Sequence, residues 1–510
     1  MSGIEFEGEE FVDWRGRKVT PEKHGGARAA SFACVVEVLE NVVFLANASN
    51  FVQYFIKSMH YPVADASNMV TNFMGTSFLL TIVGGFISDS FLTRFTTFII
   101  SCTVELLGLM LLTIQAHRKS LQPAMNETPS NSQAAVLYTG LYAMAIGVGG
   151  IKASLPAHGA DQLDHTNQRR ISAFFNWFFF SLCAGGFISS TVMVWIEENK
   201  GWRWSFVISI IVLSVAFFIF AIGFPIYKYK RPAGSPITRI FKVFASAIRN
   251  RKASSVDHQN GNSVKKISNK YRFLNKALVD DTTSLADVEE TKTFIGLLPI
   301  FASTILMNCC LAQLQTFSVQ QGSIMNKKIK NFEIPTQSLT VIPLTVMLSS
   351  IPAYEFLNSY INKNSKIHKP LARIGLGLAL ASASMGVAAA VEVKRREAAE
   401  NGYLISVFWL SWQYLLLGVS DMLTLGGMLE FFYSEAPSRM RSLCTALAWC
   451  STSMGYFFSS VLVSIANSAS GHKWLGGKDL NNDRLELFYT LLCVLNFLNF
   501  FNYVFWAKRY

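Results

Sequence analysis

Long apolar stretches recur along the whole sequence. A stretch of about 20 apolar residues is long enough to cross a bilayer core of roughly 30 Å as a helix. Of the 510 residues, 51% are hydrophobic and 15% are charged, and the mean hydropathy is +0.31, which argues against a large soluble enzyme. We therefore predict an all-α membrane protein with about twelve transmembrane helices, over residues 28–55, 66–88, 95–116, 133–156, 172–196, 204–227, 293–320, 337–361, 371–393, 403–433, 443–466 and 486–507.

A long basic segment between the sixth and seventh stretches divides the chain. It holds most of the excess positive charge behind the formal net charge of +12. Loops rich in Lys and Arg stay in the cytoplasm, so we expect this linker and both termini to be cytoplasmic and the charge not to indicate nucleic-acid binding. The predicted organisation is a cytoplasmic N-terminal segment (1–27), a six-helix bundle (28–228), a cytoplasmic linker (229–290) and a second six-helix bundle (291–510).

Smaller features refine this topology. In the linker, apolar residues at helical spacing predict an amphipathic helix over 236–248 on the inner membrane face, and 250–269 is expected to be disordered. The sequon at Asn126 is expected outside, whereas Lys394, Arg395 and Arg396 are basic on the predicted outer side. The polar start of the chain does not resemble a cleavable signal. The eight cysteines show no metal-ligand spacing, and we expect neither disulfides nor a metal.

Two acidic residues interrupt the first apolar stretch. Glu37 and Glu40 lie within the run from Ser31 to Phe55, where a carboxylate facing lipid costs several kcal/mol. Because they are three residues apart, both occupy one face of a helix. The pair indicates proton or solute handling; the alternative is two hydrogen-bonded acids that orient the helix.

A series of ordered motifs carries a family resemblance. These are Glu37-Val38-Leu39-Glu40-Asn41, Gly85 with Asp89 and Arg94, Gly150-Ile151-Lys152, Phe174-Phe175-Asn176-Trp177-Phe178-Phe179, Val288-Glu289-Glu290, Leu298-Pro299-Ile300, Arg373-Ile374-Gly375, and Phe431-Phe432-Tyr433 with Pro437. The chain resembles, from about Asp13 to Tyr510, the plant nitrate and peptide transporter family, the plant branch of the proton-coupled oligopeptide transporters. The resemblance implies a major facilitator fold of two six-helix bundles, transport by alternating access and no enzymatic activity or cofactor.

The run from Glu40 to Asn50 resembles the subfamily that imports abscisic acid and, in some members, gibberellins. This implies import of an organic acid hormone across the plasma membrane, with protons as possible co-substrate. Leu311 stands where the family's nitrate-transporting member has a histidine, and leucine offers nitrate no hydrogen bond. The alternatives are another family substrate (nitrate, a peptide, auxin or a glucosinolate) or a hormone sensor with little turnover.

Asn41 departs from the family motif, which has Arg or Lys after the second glutamate. Without that cation, burial favours a protonated carboxyl at Glu37 or Glu40, which puts strict proton coupling in doubt. Lys152 lies in the fourth stretch and needs a carboxylate partner. Glu37 or Glu40 would pair with it within the first bundle, and Glu435 would pair with it across the bundles as a gate; a permanent bridge is the alternative to a switch.

A hormone that is a carboxylic acid with a hydrocarbon body requires a cation or several donors and an apolar wall. Candidate residues are Lys152, Asn41, Gln315 and Gln413 for polar contacts and Phe175, Trp177, Leu311, Trp412 and Trp449 for the wall, although each aromatic residue also suits lipid or core.

Other motifs have conformational or solvent-exposed interpretations. Gly85, Asp89 and Arg94 resemble the facilitator signature that holds one state through charge contacts. Thr97 matches a position phosphorylated in the nitrate-transporting relative, within a short and common pattern. His158, Asp161, Asp164 and His165 are interpreted as solvated charges instead of a metal site.

Overall fold

The computed structural model describes residues 11–20, 22–61, 63–124, 127–252, 270–280, 283–329, 332–333, 339–360, 370–471, 474–475, 480–481 and 483–510. The chain is built from α-helices, which satisfy their backbone hydrogen bonds internally, as a lipid environment requires. The helices are α1 Gly26–Lys57, α2 Val63–Ser90, α3 Arg94–His117, α4 Asn131–Asp161, α5 Gln168–Ile188, α6 Val194–Lys200, α7 Trp202–Ile222, α8 Pro236–Arg249, α9 Leu285–Gln315, α10 Phe317–Ser323, α11 Val341–Tyr360, α12 Pro370–Glu400, α13 Ser411–Glu435, α14 Arg441–Ala469 and α15 Leu485–Arg509.

The prediction of an all-α membrane protein is confirmed. Within the described residues, 11 helical segments are long and apolar enough to span a membrane, and a shorter apolar helix, Val341–Phe356, falls at the predicted span 337–361. The predicted span 172–196 consists of α5, a π-helical turn at Ser189–Met193 and α6. The predicted span 293–320 is likewise divided between α9 and α10.

Local sequence signals explain several helix starts. Ser130 and Gln133 form a capping box at the start of α4, and Ser284 and Asp287 form another at the start of α9. The oxygens of these side chains accept hydrogen bonds from backbone N–H groups that the first helical turn leaves without partners. Pro236 opens α8, where its fixed backbone torsion suits a first helical turn.

Small residues allow the helices to pack closely. A Cβ atom at Gly84 of α2 would lie 2.8 Å from the Cα atom of Gly150 in α4. In the first bundle, α1–α7, the helix α4 packs against α2 and α3; in the second, α9–α15, the helix α12 packs against α13 and α15. The bundles meet mainly where α2 packs along α14 and α5 along α11.

The linker contains the predicted amphipathic helix, which is α8. It packs on a 3₁₀ helix, Arg272–Val279, and on α9, around the buried residues Val243, Ala247, Leu274, Ala277 and Val288. Phe241 and Ile248 are 73% and 65% exposed, so only part of its apolar surface faces protein. Of the stretch predicted to be disordered, residues 253–269 lie outside the described residues.

One contact near the linker was not predicted. Strand β1, Phe11–Val12, pairs antiparallel with β2, Tyr229–Lys230, just after α7. A second short ribbon, β3 Lys328–Ile329 with β4 Phe332–Glu333, precedes α11. Strands of two residues are too short to produce a periodic pattern, which is why the sequence gives no signal for them.

The basic residues at the end of α12 are neutralised by their surroundings. Lys394 Nζ lies 3.7 Å from the ring centroid of Trp409, and Arg395 pairs with Glu392 at 2.7 Å. Arg396 pairs with Glu486 at 2.6 Å. These local partners explain basic residues on a side that the charge rule predicts to be poor in them. Asn126, the predicted sequon, lies outside the described residues.

Candidate functional site

A buried ion cluster joins α1 and α4 inside the first bundle. The Lys152 ammonium lies 2.8 Å from Glu37 Oε1 and 2.5 Å from Glu40 Oε2. Lys152 is 1% exposed and both glutamates are fully buried. The spacing of the glutamates places both on the face of α1 that meets α4. Two of the three partners predicted for Lys152 therefore bind it together.

Asn41 completes the surroundings of the ammonium. Its Oδ1 atom accepts a hydrogen bond from Lys152 Nζ at 3.3 Å, and its Nδ2 atom donates to the carbonyl oxygen of Leu182 in α5 at 2.7 Å. An ammonium group has three N–H donors, and here three side-chain oxygens surround it. Another anion can bind Lys152 only if one of these acceptors gives way.

Trp449 of α14 covers the cluster from the second bundle. The ammonium of Lys152 lies 5.4 Å from the Trp449 ring centroid and 5.8 Å from that of Phe44. Trp449 stacks on Phe78 with centroids 5.5 Å apart, and its buried indole nitrogen has no hydrogen-bond partner within the described ranges. The cluster is thus a cation with aromatic walls at the interface between bundles, and it has an unused N–H donor beside it.

The predicted contact between Lys152 and Glu435 is not made in this structure. Glu435 accepts a hydrogen bond from the Tyr510 hydroxyl at 3.2 Å. It ends α13, and nearby Tyr433 donates to Asp161, the last residue of α4, at 2.6 Å. Lys152 lies nine residues before Asp161, which is about 14 Å at 1.5 Å per residue. Sequence order alone did not show this difference in depth.

Among the acids within the spans that the sequence interpretation did not name are Asp421 and Glu105. Asp421 of α13 has a buried Oδ1 atom without a hydrogen-bond partner among the described residues and interacts electrostatically with Cys183 and Tyr456. Glu105 of α3 is fully buried, and neither of its carboxyl oxygens has a hydrogen-bond partner in the described part of the chain. The signal that identified Glu37, a carboxylate within an apolar stretch, was available for both.

Two of the remaining predicted wall residues point away from the protein interior. Trp177 and Trp412 are 46% and 61% exposed, so they face outward, which corrects the prediction for Trp177. Trp177 lies on the face of α5 opposite the buried Phe175, as the helical period requires. Leu311 is half-buried in α9.

The two predicted glutamines do not meet Lys152 in the described part of the chain. Gln413 is buried in the second bundle, where its Nε2 atom donates to Ser318 at 3.1 Å, so it serves that bundle's packing. The side chain of Gln315 lies outside the described residues. Of the predicted substrate residues, the structure brings together Asn41, Lys152 and Trp449.

The residues of the facilitator signature join the two bundles at one end of the molecule. We call this end the linker side; it is formed by the linker and by the helix ends at Ser90, Asp161, Ile222 and Glu435. Asp89 accepts a hydrogen bond from the Leu443 backbone N–H at 2.8 Å, and Arg94 Nε donates to Ser442 Oγ at 2.7 Å. A Cβ atom at Gly85 would lie 2.8 Å from the carbonyl oxygen of Ser442. Glycine is therefore required for this close approach of α2 to α14.

A second network crosses the bundles on the linker side. Arg373 of α12 pairs with Glu430 of α13 at 2.9 Å and donates to Asn176 of α5 at 2.8 Å. Glu430 also accepts from Ser172 at 3.0 Å, and Asn176 donates to Glu355. The motif residues Asn176 and Arg373 are thus partners across the interface, a pairing that sequence order could not reveal.

The structure corrects two further interpretations. Thr97 is 4% exposed, and its hydroxyl donates to the Thr93 carbonyl oxygen at 3.1 Å, so a kinase cannot reach it in this conformation. His158 and Asp161 are buried, not solvated: His158 packs against Tyr227 with centroids 4.7 Å apart, and Asp161 pairs with Arg94. Asp164 follows α4 in an exposed turn and binds Thr166. No cluster of metal-ligating residues occurs among the residues for which the structure gives positions.

Comparison with known proteins gives consistent matches. Residues 95–478 match the family described as the POT family, PTR2. Two Arabidopsis thaliana proteins, NRT1/PTR FAMILY 4.2 and 4.1, are 58% and 59% identical over 98% and 99% of this chain and 99% and 100% of their own lengths. The crystal structure of the POT family transporter PepTSo, 19% identical, superposes with a TM-score of 0.70 over 95% of this chain and 98% of that one. The structure of a POT family transporter in complex with 5-aminolevulinic acid, 12% identical, gives 0.66 over 96% of this chain and 99% of that chain.

Proposed function

Because the chain belongs to the POT family of membrane transporters, we propose that it imports an organic acid plant hormone, abscisic acid or a gibberellin, by proton-linked alternating access. Membership of this family makes the protein a multi-pass transporter and not an enzyme. The identity of the cargo and its coupling to protons are the parts that we propose.

The observation that carries the proposal is the crowded ammonium of Lys152. With both glutamates ionised, its cluster with Glu37 and Glu40 has a net charge of −1, which repels an anionic substrate. A proton on either glutamate neutralises the cluster and weakens one of the contacts to Nζ. The released N–H can then bind a carboxylate. Proton binding and acid binding thus favour each other, which is the thermodynamic requirement for symport.

Asn41 stands where the family motif has a cation, and in the proposed mechanism a bound proton supplies the missing positive charge. A cation at this position would balance the second glutamate, but the amide of Asn41 supplies no charge and accepts one of the lysine's hydrogen bonds. The cluster is therefore short of one positive charge, which a bound proton supplies. We propose that the proton binds to Glu37 or Glu40. The substrate carboxylate then takes the place of the protonated glutamate as a partner of the Lys152 ammonium.

The surroundings of Lys152 favour a substrate with an apolar body. Phe44, Phe78 and Trp449 supply hydrocarbon surface beside the cation. The unpaired indole N–H of Trp449 offers a donor to a second polar group. This combination suits a terpenoid carboxylic acid such as abscisic acid better than nitrate, which has no apolar body to bury.

The contacts on the linker side support alternating access. Asp89, Arg94, Asn176 and Arg373 all bind partners in the other bundle, so that side is held closed in this conformation. We propose that these contacts separate when the substrate is released. The interface at Trp449 would then change with them, since both lie between the same bundles.

Uptake of labelled compounds tests the proposal directly. Cells expressing the chain are given radiolabelled abscisic acid, a gibberellin, nitrate or a dipeptide, each at acidic and at neutral external pH. We expect saturable accumulation of one hormone acid, faster at acidic pH. Cells without the chain are the essential control, because protonated weak acids cross membranes unaided. Accumulation of nitrate or the dipeptide alone would overturn the proposal, and so would saturable hormone binding without accumulation.

Removing the aromatic cover should weaken substrate binding. We expect Trp449→Ala to raise the KM for the hormone about tenfold, which corresponds to ~1.4 kcal/mol and is within the range of a desolvated cation–π contact plus a lost donor. Trp177→Ala is the matched control, since Trp177 is 46% exposed and should leave KM unchanged. An equal rise in both variants would contradict the assignment of Trp449 to the site.

A further inference from the structure

Glu105 is a buried carboxyl group that neither the family motifs nor the proposed coupling pair uses. It lies in the middle of α3 and is fully buried. Neither carboxyl oxygen has a hydrogen-bond partner among the residues that the structure describes. An isolated carboxylate in such a place would be severely destabilising, because burial of an unpaired charge has a large energetic cost.

Glu105 nevertheless lies close to the Lys152 cluster. A Cβ atom at Gly147 of α4 would come within 2.5 Å of Glu105 Cβ, so glycine lets the two helices touch there, five residues before Lys152 on α4. Glu105 interacts electrostatically with Glu40 and Lys152. It is therefore a third carboxyl group within electrostatic range of the ammonium, but the described residues show no ion pair between Glu105 and Lys152.

The other helices that pack on α3 supply no further partner among the described residues. Within α7, Arg203 is the sole ionisable residue, and it lies in the first turn, where it interacts with Tyr54. The ionisable residues of α2 are Asp65 and Asp89, at its two ends. On α3 itself, Cys102 is the near ionisable group. The charges that act on Glu105 are thus those of the cluster.

We propose that Glu105 is a proton-storage site, which holds a proton as a neutral carboxylic acid in this conformation and exchanges it with Glu40. A neutral Glu105 carboxyl avoids the energetic cost of an unpaired buried charge, and Lys152 then pairs with Glu37 and Glu40 alone. No donor to Glu105 occurs among the described residues, whereas Glu37 and Glu40 each have the ammonium within 2.8 Å. Of the three carboxyl groups, Glu105 is therefore the one on which the proton is most stable.

The transfer is balanced in charge and atoms. When the proton passes from Glu105 to Glu40, one O–H bond breaks and another forms, and the net charge of the four groups is unchanged. Glu40 becomes neutral and loosens its hold on Lys152, and the new Glu105 carboxylate remains near that ammonium. The inference rests on the proposed function for its role in transport, but the protonation of Glu105 can be measured without any substrate.

Infrared spectroscopy of the purified full chain in lipid vesicles tests the protonation. A neutral carboxylic acid has a carbonyl stretching band distinct from that of a carboxylate. We expect this band at neutral pH in the wild-type protein and a loss of one carboxyl's intensity in Glu105→Gln. Glu392→Gln is the matched control, because Glu392 is equally buried but accepts hydrogen bonds from Arg395 and Gln321, and it should leave the band unchanged.

An unchanged band in Glu105→Gln would overturn the proposal. So would failure of that variant to fold, since glutamine replaces a neutral acid nearly isosterically and should preserve the melting temperature. The role in transport has its own test: in Glu105→Gln we expect concentrative uptake of abscisic acid to fall about tenfold while exchange of internal for external abscisic acid persists. Concentrative uptake equal to wild type would overturn that role.

The two proposals fail in distinguishable ways. If none of the tested acids is transported but Glu105→Gln still removes one carboxyl's intensity, the proposed substrate is wrong and the proton site stands. If the hormone is transported and the band is unaffected, the proton site alone is wrong.

Discussion

Replacing Lys152 by alanine is expected to abolish hormone uptake. Loss of a buried, hydrogen-bonded charge partner costs roughly 2–5 kcal/mol of binding, so kcat/KM should fall about 30-fold to 4,000-fold at 1.4 kcal/mol per factor of ten. Uptake of radiolabelled abscisic acid measures this fall in kcat/KM. The same variant should lower the free energy of unfolding by roughly 3–5 kcal/mol, because Glu37 and Glu40 lose the ammonium that both contact.

A triple variant separates these two effects. Lys152→Ala combined with Glu37→Gln and Glu40→Gln removes the charges together, and we expect it to regain most of the thermal stability without regaining uptake. Lys292→Ala is the matched control for the loss of a buried lysine, since Lys292 is also buried and pairs with Glu289 at 2.6 Å. Uptake by the triple variant at the wild-type rate would show that the cluster only supports the fold.

Replacing Arg373 by alanine is expected to open the linker side. Arg373 binds Glu430 in its own bundle and Asn176 in the other. Without Arg373, Glu430 is a buried carboxylate that loses its charged partner and keeps neutral ones such as Ser172 across the interface. If the closed conformation loses about 1.4 kcal/mol of stability relative to the open one, the open population rises about tenfold. Cys444, fully buried in α14 beside Leu443, is a native reporter. Its alkylation by a maleimide should quicken by a similar factor when it is the sole cysteine retained.

Arg395→Ala provides the comparison. Arg395 is 3% exposed and pairs with Glu392 within the same helix at 2.7 Å, so its loss also uncovers a buried carboxylate but does not touch the interface between bundles. We expect it to lower the melting temperature without quickening the alkylation of Cys444. Equal reactivity of Cys444 in the two variants would mean that general destabilisation, not release of the linker side, exposes the cysteine.

The two predictions concern different steps of one cycle. Lys152 contacts the proposed proton acceptors and, through the ring of Trp449, the second bundle. Arg373 holds the linker-side ends together and does not contact Lys152. Loss of Lys152 should therefore remove both uptake and exchange, whereas loss of Arg373 should mainly change the balance of conformations and the maximal rate.

Much of the architecture followed from patterns that are local in sequence. The length of the apolar stretches and the helical spacing in α8 depend on residues a few positions apart, and these predicted the helices. The Glu37 and Glu40 pair was identified by the same kind of reasoning, because a carboxylate is costly in an apolar helix wherever that helix packs. Applied consistently, that reasoning would have identified Glu105 and Asp421 as well.

The assignments that the structure does not support concern depth and direction. Trp177 was placed in the wall although its position on α5 turns it outward. The gate contact between Lys152 and Glu435 stays a prediction, because this conformation does not make it. Thr97, whose motif is short and common, is buried here. A motif read as a set of neighbours does not give the direction of each side chain, because side chains one residue apart in a helix point about 100° apart.

The sequence by itself determined that this chain crosses the membrane repeatedly and that acids and a lysine lie within the spans, because hydrophobicity and charge are properties of each residue. The tertiary structure alone decided which of them meet. In this conformation Lys152 pairs with Glu37 and Glu40 and not with Glu435, Arg373 pairs with Asn176, and Glu105 has no donor among the described residues. These outcomes depend on how deeply each helix lies and on which face it turns to its neighbours. Those quantities arise from the packing of the whole bundle, in which glycines such as Gly85 and Gly147 set the distances between helices.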